Sequence, residues 1–216
     1  MKILPEEQYK YLKLSLPDGS KPEGHTVLLH ACCAPCSSAI VECMLHNGMK
    51  PTVFFSNSNI FPLQEYEIRK KEIIRFLTSL GVPYIEDEYD HEEWRNHIKG
   101  LENEPERGSR CSICFQYRLH RAACYAQEKG FNLLTTTLAS SRWKDIRQID
   151  MAGHLAVSNC PNVEWWEQNW RKGGLQLRRN ELLRINNFYN QLYCGCEFSL
   201  ATSAAMQKKE KEEMEK

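Results

Sequence analysis

The chain has 216 residues, with 42% hydrophobic and 26% charged positions, and equal numbers of basic and acidic residues. That length suits one domain with a sizeable core, and the composition excludes a disordered or fibrous chain. Zero formal charge argues against a protein that coats nucleic acid indiscriminately, and no apolar run approaches the roughly 20 residues of a membrane span. In chain order, residues 1–24 read as an extension with little to bury. Val27 to Ala31 is a short apolar strand that ends directly in Cys32-Cys33-Ala-Pro-Cys36. Ser37 to His46 follows as a helix stopped by Asn47-Gly48. Thr52 to Phe55 is a second strand leading into the polar loop Ser56-Asn57-Ser58-Asn59. A long helix opens at Pro62 and runs through Leu80, with Gly81 just beyond it. Val82 to Ile85 is a third strand, Cys111 to Lys129 a helix ending at Gly130, and Phe131 to Thr135 a fourth strand. After Ser141 the pattern turns largely helical, and the segment from Gln207 to Lys216 is low-complexity and expected to fray.

Strands alternating with helices predict an α/β fold: a mostly parallel sheet covered on both faces, with a helical C-terminal part. Ligands in such sheets bind beyond the carboxyl ends of the strands, where Cys32, Asn57 and Thr136 fall. The expected division is one catalytic domain over residues 25–200, preceded by the extension and followed by a charged tail, 201–216. The N-terminus lacks a signal-like apolar run, so a cytoplasmic location is expected, where clustered thiols bind metal or do redox chemistry.

Seven of the ten cysteines lie in three clusters: Cys32, Cys33 and Cys36; Cys111 and Cys114; Cys194 and Cys196. Seven sulfurs exceed what one tetrahedral zinc can use, which favours polynuclear iron. A four-cysteine zinc site in an RNA-binding module is the next reading, and a thiol–disulfide oxidoreductase built on Cys33 and Cys36 the third. Cys111 and Cys114 face one way near a helix start, where the dipole favours thiolate. Arg118 and Arg121 continue that line, as cations for an anionic cluster or a phosphate. Cys43, Cys124 and Cys160 read as structural. Charge is unevenly spread: residues 82–106 carry nine acids against Arg95 and Lys99, while residues 107–147 carry eight Lys or Arg against Glu128 and Asp145. Trp165, Trp166 and Trp170 are interleaved with Arg171, Lys172, Arg178 and Arg179, a composition that suits stacking on single-stranded RNA bases. At least one of those rings is expected to serve the core instead. Arg142, Lys144 and Arg147 are candidates to follow an RNA backbone.

Five segments, in order, resemble the cobalamin-independent QueH-type epoxyqueuosine reductases. They are Leu28-Leu-His-Ala-Cys-Cys-Ala-Pro-Cys-Ser37, Phe55-Ser-Asn-Ser-Asn-Ile-Phe-Pro62 with Glu65-Tyr66, Cys111-Ser-Ile-Cys-Phe115, Thr135-Thr-Thr-Leu138 and Tyr189-Asn-Gln-Leu-Tyr-Cys-Gly-Cys-Glu-Phe-Ser199. Asn190 departs from the arginine of that pattern. The resemblance implies a Rossmann-like fold of the adenine nucleotide hydrolase and PP-loop group. Cysteines replace the phosphate loop, so neither ATP nor cobalamin is expected. By the same resemblance Cys32, Cys33, Cys111 and Cys114 would hold a 4Fe–4S cluster. Cys36, Cys194 and Cys196 would be catalytic, at a neighbouring single iron or with Cys194 and Cys196 as a redox-active pair. Asn57, Arg118, Arg142, Lys144, Trp170, Arg171, Tyr189 and Gln191 would meet the substrate, epoxyqueuosine in a tRNA anticodon loop. Its deoxygenation to queuosine consumes two electrons and two protons, so a low-potential electron donor is expected. His30, Asp145, His154 and Tyr193 are candidate proton donors.

Overall fold

Five parallel strands form the centre of the structure, a computed structural model that describes residues 12–214, with side chains to residue 208. In chain order the elements are β1 (Thr26–Ala31), α1 (Ala34–His46), β2 (Lys50–Phe55), α2 (Leu63–Leu80), β3 (Tyr84–Glu86), α3 (His91–His97) and α4 (Ser109–Lys129). β4 (Leu133–Thr136), α5 (Ile146–Val157), β5 (Glu164–Trp165), α6 (Leu175–Ile185) and α7 (Glu197–Met214) complete them. The strand order is β3-β2-β1-β4-β5, so the chain winds outward from β1 and then returns to its other side at β4. This reversal leaves a crevice at the carboxyl ends of β1 and β4, the ligand position of open parallel sheets. β1 is apolar and buried from Val27 to Ala31 because helices cover both faces. One core layer packs Leu29, Ile40, Met44 and Phe76; the other packs Leu28, Phe115, Leu119 and Ile149. Glycines in the left-handed conformation end α2 and α4, Gly81 at φ 65° and Gly130 at φ 75°, as their sequence positions predict.

Several elements differ from the sequence expectation. α3 lies inside the acidic stretch; Asp90 caps it by accepting from the Glu93 amide at 2.8 Å. β5 is only two residues long, too short for a periodicity to register. Residues 12–16 do bury surface: Leu14 and Leu16 join the core, and Asn47 at the end of α1 bonds the Leu14 amide and the Leu12 carbonyl. Residues 1–11 of the expected extension lie outside the described residues. The charged tail continues α7 as helix to Met214. Acids of the 82–106 stretch take up neighbouring cations: Asp87 pairs with Arg121 and Glu86 with Lys70. No helix among the described residues is long and apolar enough to cross a membrane.

Candidate metal centre and RNA-facing cleft

Cys32 leaves the end of β1, and Cys33 is the N-cap of α1, so the chain turns from strand to helix through its thiols. The sulfurs of Cys32, Cys33 and Cys36 all lie within 4.8 Å of one another. The Cys32 amide donates to Thr137 Oγ1 at 3.3 Å, tying the motif to the end of β4. The Cys33 and Cys36 thiols share protons with Cys32 and hold it well below the usual thiol range; Lys144 and Arg118 help, against the effect of burial. Cys33 is raised in turn, and Cys36 is pushed up to about 11 by its hydrogen bond to Cys32. Gln191 Nε2 donates to Cys33 Sγ at 3.1 Å, while its buried Oε1 has no hydrogen-bond partner among the described residues.

The second sulfur group comes from the start of α4 and the loop before α7. Cys111 Sγ accepts the Arg107 amide at 3.3 Å. Burial pushes Cys111 up and Cys114 up to about 12, so desolvation outweighs the helix dipole expected to favour thiolate there. Negative charge on Cys194 and Cys196 pushes both in the same direction. Burial likewise raises Cys196, whose thiol donates to Ser199 Oγ at 3.4 Å. The loop carrying this pair is held from inside the protein. Buried Arg69 donates to the carbonyls of Cys194, at 3.0 Å, and Tyr193, at 3.3 Å, while Glu65 neutralises it at 2.7 Å. Gly195 sits at φ 141°, and a Cβ there would lie 3.1 Å from Arg69 Nη1 and 3.2 Å from Ile60 Cγ1.

Cys111, Cys194 and Cys196 line one cleft together with Lys144, Asp145 and Trp143. Burial disfavours the Lys144 ammonium, yet its interactions with the sulfurs of Cys194, Cys32 and Cys36 hold its pKa above the ordinary lysine value. Lys144 therefore faces both sulfur groups. Cys32, Cys33 and Cys36 stand together, and Cys111, Cys194 and Cys196 share the cleft that Lys144 also lines. Cys33 and Cys36 meet because positions three apart share a helix face.

The proposed substrate contacts fall into two sets. Asn57, Arg118 and Trp170 are buried in this structure. Asn57 Nδ2 donates to the Ala31 carbonyl at 2.8 Å and its Oδ1 accepts from Arg118, so both ends of the amide are engaged. Arg118 also bonds the Ser56 carbonyl and serves as a buried cation beneath Cys32 and Cys114. Trp170 is fully buried and donates to the Thr136 carbonyl, supporting β4 from below. Trp165 and Trp166 are interior too, and Arg178 is buried against Glu42 and Glu181. Arg142 is exposed; Arg171 donates to the Lys144 carbonyl at 2.7 Å; Tyr189 donates to Glu65 at 2.8 Å. Of the proton-donor candidates, only Asp145 lines this cleft. His30 is buried between Thr136 and Ser56 and burial lowers it to about 3. His154 pairs with Glu167 beside a separate 560 Å³ cavity, and the Tyr193 hydroxyl donates to the Phe61 carbonyl. Sequence reasoning missed Arg107, Trp143 and the Glu65–Arg69 pair. A non-glycine residue in the left-handed region, Arg107 at φ 68°, has no signal in composition.

Residues 27–202 match the family model described as epoxyqueuosine reductase QueH, an interval that contains all seven clustered cysteines. The chain belongs to the QueH family. The QueH of Acinetobacter baylyi is 46% identical over 189 residues, covering 88% of this chain and 85% of that protein. The QueH of Haemophilus influenzae is 47% identical over 191 residues, covering 88% and 76%, and that of Histophilus somni is 48% identical over 180 residues, covering 83% and 74%. Among solved structures, the U34-tRNA thiolase NcsA from Methanococcus maripaludis with its [4Fe-4S] cluster superposes at a TM-score of 0.49 and 11% identity, covering 91% of this chain and 69% of that one. The family match thus spans nearly all of the sheet and both sulfur groups, from β1 into α7.

Proposed function

We propose that this protein is the reductase that removes the epoxide oxygen of epoxyqueuosine in tRNA, leaving queuosine at the wobble position and releasing water. The observation that carries this is membership of the QueH family across residues 27–202, an interval enclosing every thiol of the candidate centre. The donor set fits an iron–sulfur group. All ten cysteines are free, three sulfurs are already within 4.8 Å, and the Lys144 ammonium and Arg118 guanidinium offset negative charge. N–H donors from Gln191 and Arg107 reach Cys33 and Cys111, as metal-bound thiolates require of their surroundings. Cys32, Cys33, Cys111 and Cys114 would hold a 4Fe–4S cluster, and Cys36, Cys194 and Cys196 a neighbouring iron. The cluster would supply electrons one at a time from a low-potential donor, and the iron an electrophilic centre. The chain's own groups do the rest. Asp145, which caps α5 and lines the cleft with Cys194 and Glu106, is the candidate among the proton donors named above to pass a proton to the departing oxygen. Lys144 keeps its charge between the sulfur groups and stabilises negative charge as it develops there.

The test is anaerobic incubation of iron- and sulfide-reconstituted protein with epoxyqueuosine-bearing tRNA and a low-potential reductant, read by nucleoside mass analysis. Loss of one oxygen from the nucleoside is expected. Cys194→Ala should abolish turnover while retaining much of the visible absorbance; Cys43→Ala, whose thiol is raised to about 12 by burial and bonds the Leu12 carbonyl, should retain both. Colourless protein with stoichiometric zinc would favour the RNA-binding module instead. Turnover that survives loss of Cys111 and Cys114 would favour a bare dithiol oxidoreductase.

A further inference from the structure

Four of the five tryptophans are interior: Trp94, Trp165, Trp166 and Trp170 are at most 4% exposed. Trp143 is 73% exposed. One surface aromatic needs no explanation by itself, but three observations separate this one from a stray ring. It lines the cleft that holds Cys111, Cys194 and Cys196. Its loop is also gripped from behind. Arg107 donates to the carbonyls of Trp143, at 2.8 Å, and Arg142, at 3.2 Å, while Arg171 donates to that of Lys144 at 2.7 Å. Three successive carbonyls are thus fixed by two guanidinium groups, and the indole contributes nothing to the anchoring. Arg107 adopts a backbone conformation that side-chain-bearing residues rarely visit, φ 68°. In it, the amide reaches Cys111 Sγ and the carbonyl accepts from Gln148, so one residue ties the sulfur centre to the tryptophan loop. Finally, the ring stands among cations. Arg142 is exposed, and the Arg147 side chain is 88% exposed with only a 4.0 Å pairing to Asp145, the acid that caps α5.

We infer that Trp143 is a stacking platform for an unpaired nucleobase of the RNA substrate, with Arg142 and Arg147 placed for the flanking phosphates. The inference rests on the tRNA reading above and moves the stacking surface from the three interior tryptophans to this ring. An indole face held rigidly beside a cationic rim is how single-stranded RNA is held without reading its sequence.

Because the other four rings are interior, emission quenched by iodide reports Trp143. The full-length reconstituted protein is titrated with an anticodon stem-loop RNA and with a fully paired RNA duplex of equal length. The stem-loop is expected to shield the iodide-accessible emission, and the duplex to leave it accessible. Trp143→Ala should weaken stem-loop binding about ten-fold, the loss expected of one base stack, without changing the melting temperature. Trp143→Phe should keep most of the affinity. Unchanged binding by Trp143→Ala, or full iodide access in the saturated complex, overturns the inference while the reductase assignment stands. Failure of the unaltered protein to bind the stem-loop at all overturns the tRNA reading, and the inference with it.

Discussion

Among the described residues, Gln191 engages only one half of its amide. Nε2 donates to Cys33 Sγ at 3.1 Å, and the buried Oε1 meets no donor there. A thiolate bound to metal only accepts, so the amide must present its N–H side to that sulfur. Donation draws electron density from the sulfur and eases reduction of the centre it ligates. Gln191→Leu keeps the approximate volume and deletes the bond. The reconstituted variant should have a more negative reduction potential, equivalent to about 1 kcal/mol, in an optically monitored redox titration. A potential identical to that of the unaltered protein would show that the contact is packing alone. Residue-scale features of this kind separate what was readable from what was not. Cys32, Cys33 and Cys36 were legible as a centre because the spacing itself forces the sulfurs together. Asn57 and Arg118 were legible as residues near the site but not as partners of each other, because the two stand 61 positions apart. From sequence each looked available; in the fold each satisfies the other.

At the scale of elements, the strands and long helices were legible wherever an apolar run met a glycine stop, as at Gly81 and Gly130. α3 was not, although Asp90 and Glu93 stand at the spacing of a capping box, because its seven residues lie in a stretch read only for its charge. The tryptophan segment was misread for a related reason. Aromatics interleaved with cations have the same composition whether the rings meet RNA or, as here, close the edge of a sheet. β5 closes that edge through Trp165, which lies against α5 so tightly that a Cβ on Gly153 would fall 2.1 Å from Trp165 Cε2. This contact decides the sign of one substitution. In an open helix Gly→Ala gains about 1 kcal/mol. Here the added methyl meets a fixed indole, and overpacking typically costs about 1–3 kcal/mol. Gly153→Ala should therefore lower the urea midpoint, and an unchanged or raised midpoint would mean that β5 yields freely. The loop of Cys194 and Cys196 depends on a different contact, the buried Glu65–Arg69 pair. Arg69→Leu removes the donors to two loop carbonyls and strands a buried carboxylate, a class of loss worth about 3–5 kcal/mol. The expected result is a large fall in stability together with reduced iron uptake, measured by denaturation and metal analysis.

Over the whole molecule, equal acids and bases conceal two opposite regions whose fates differ. The acids of residues 82–106 are partly consumed inside the fold, since Asp87 takes Arg121 and Glu93 takes the Tyr117 hydroxyl. Of the basic stretch that follows, Arg110, Arg118 and Arg121 are likewise engaged by carbonyls or carboxylates. Arg142 stays in solvent on the loop beside the cleft, Arg147 is exposed in the first turn of α5 and 4.0 Å from Asp145, and Lys172 follows the arginine that anchors that loop. The cationic face is therefore smaller than the count of charges suggests, and it lies at the mouth of the sulfur centre. Its size sets the salt dependence. Each phosphate neutralised on a single strand contributes about −0.7 to the slope of log affinity against log salt. Three such cations predict a slope of about −2 for an anticodon stem-loop, well short of the values of proteins that coat nucleic acid. The double variant Arg142→Gln, Arg147→Gln should bring it to about −0.7, measured by fluorescence anisotropy across a salt series. A slope unchanged by the double variant would place the phosphates on another face of the protein, since counterion release depends only on which cations the backbone meets.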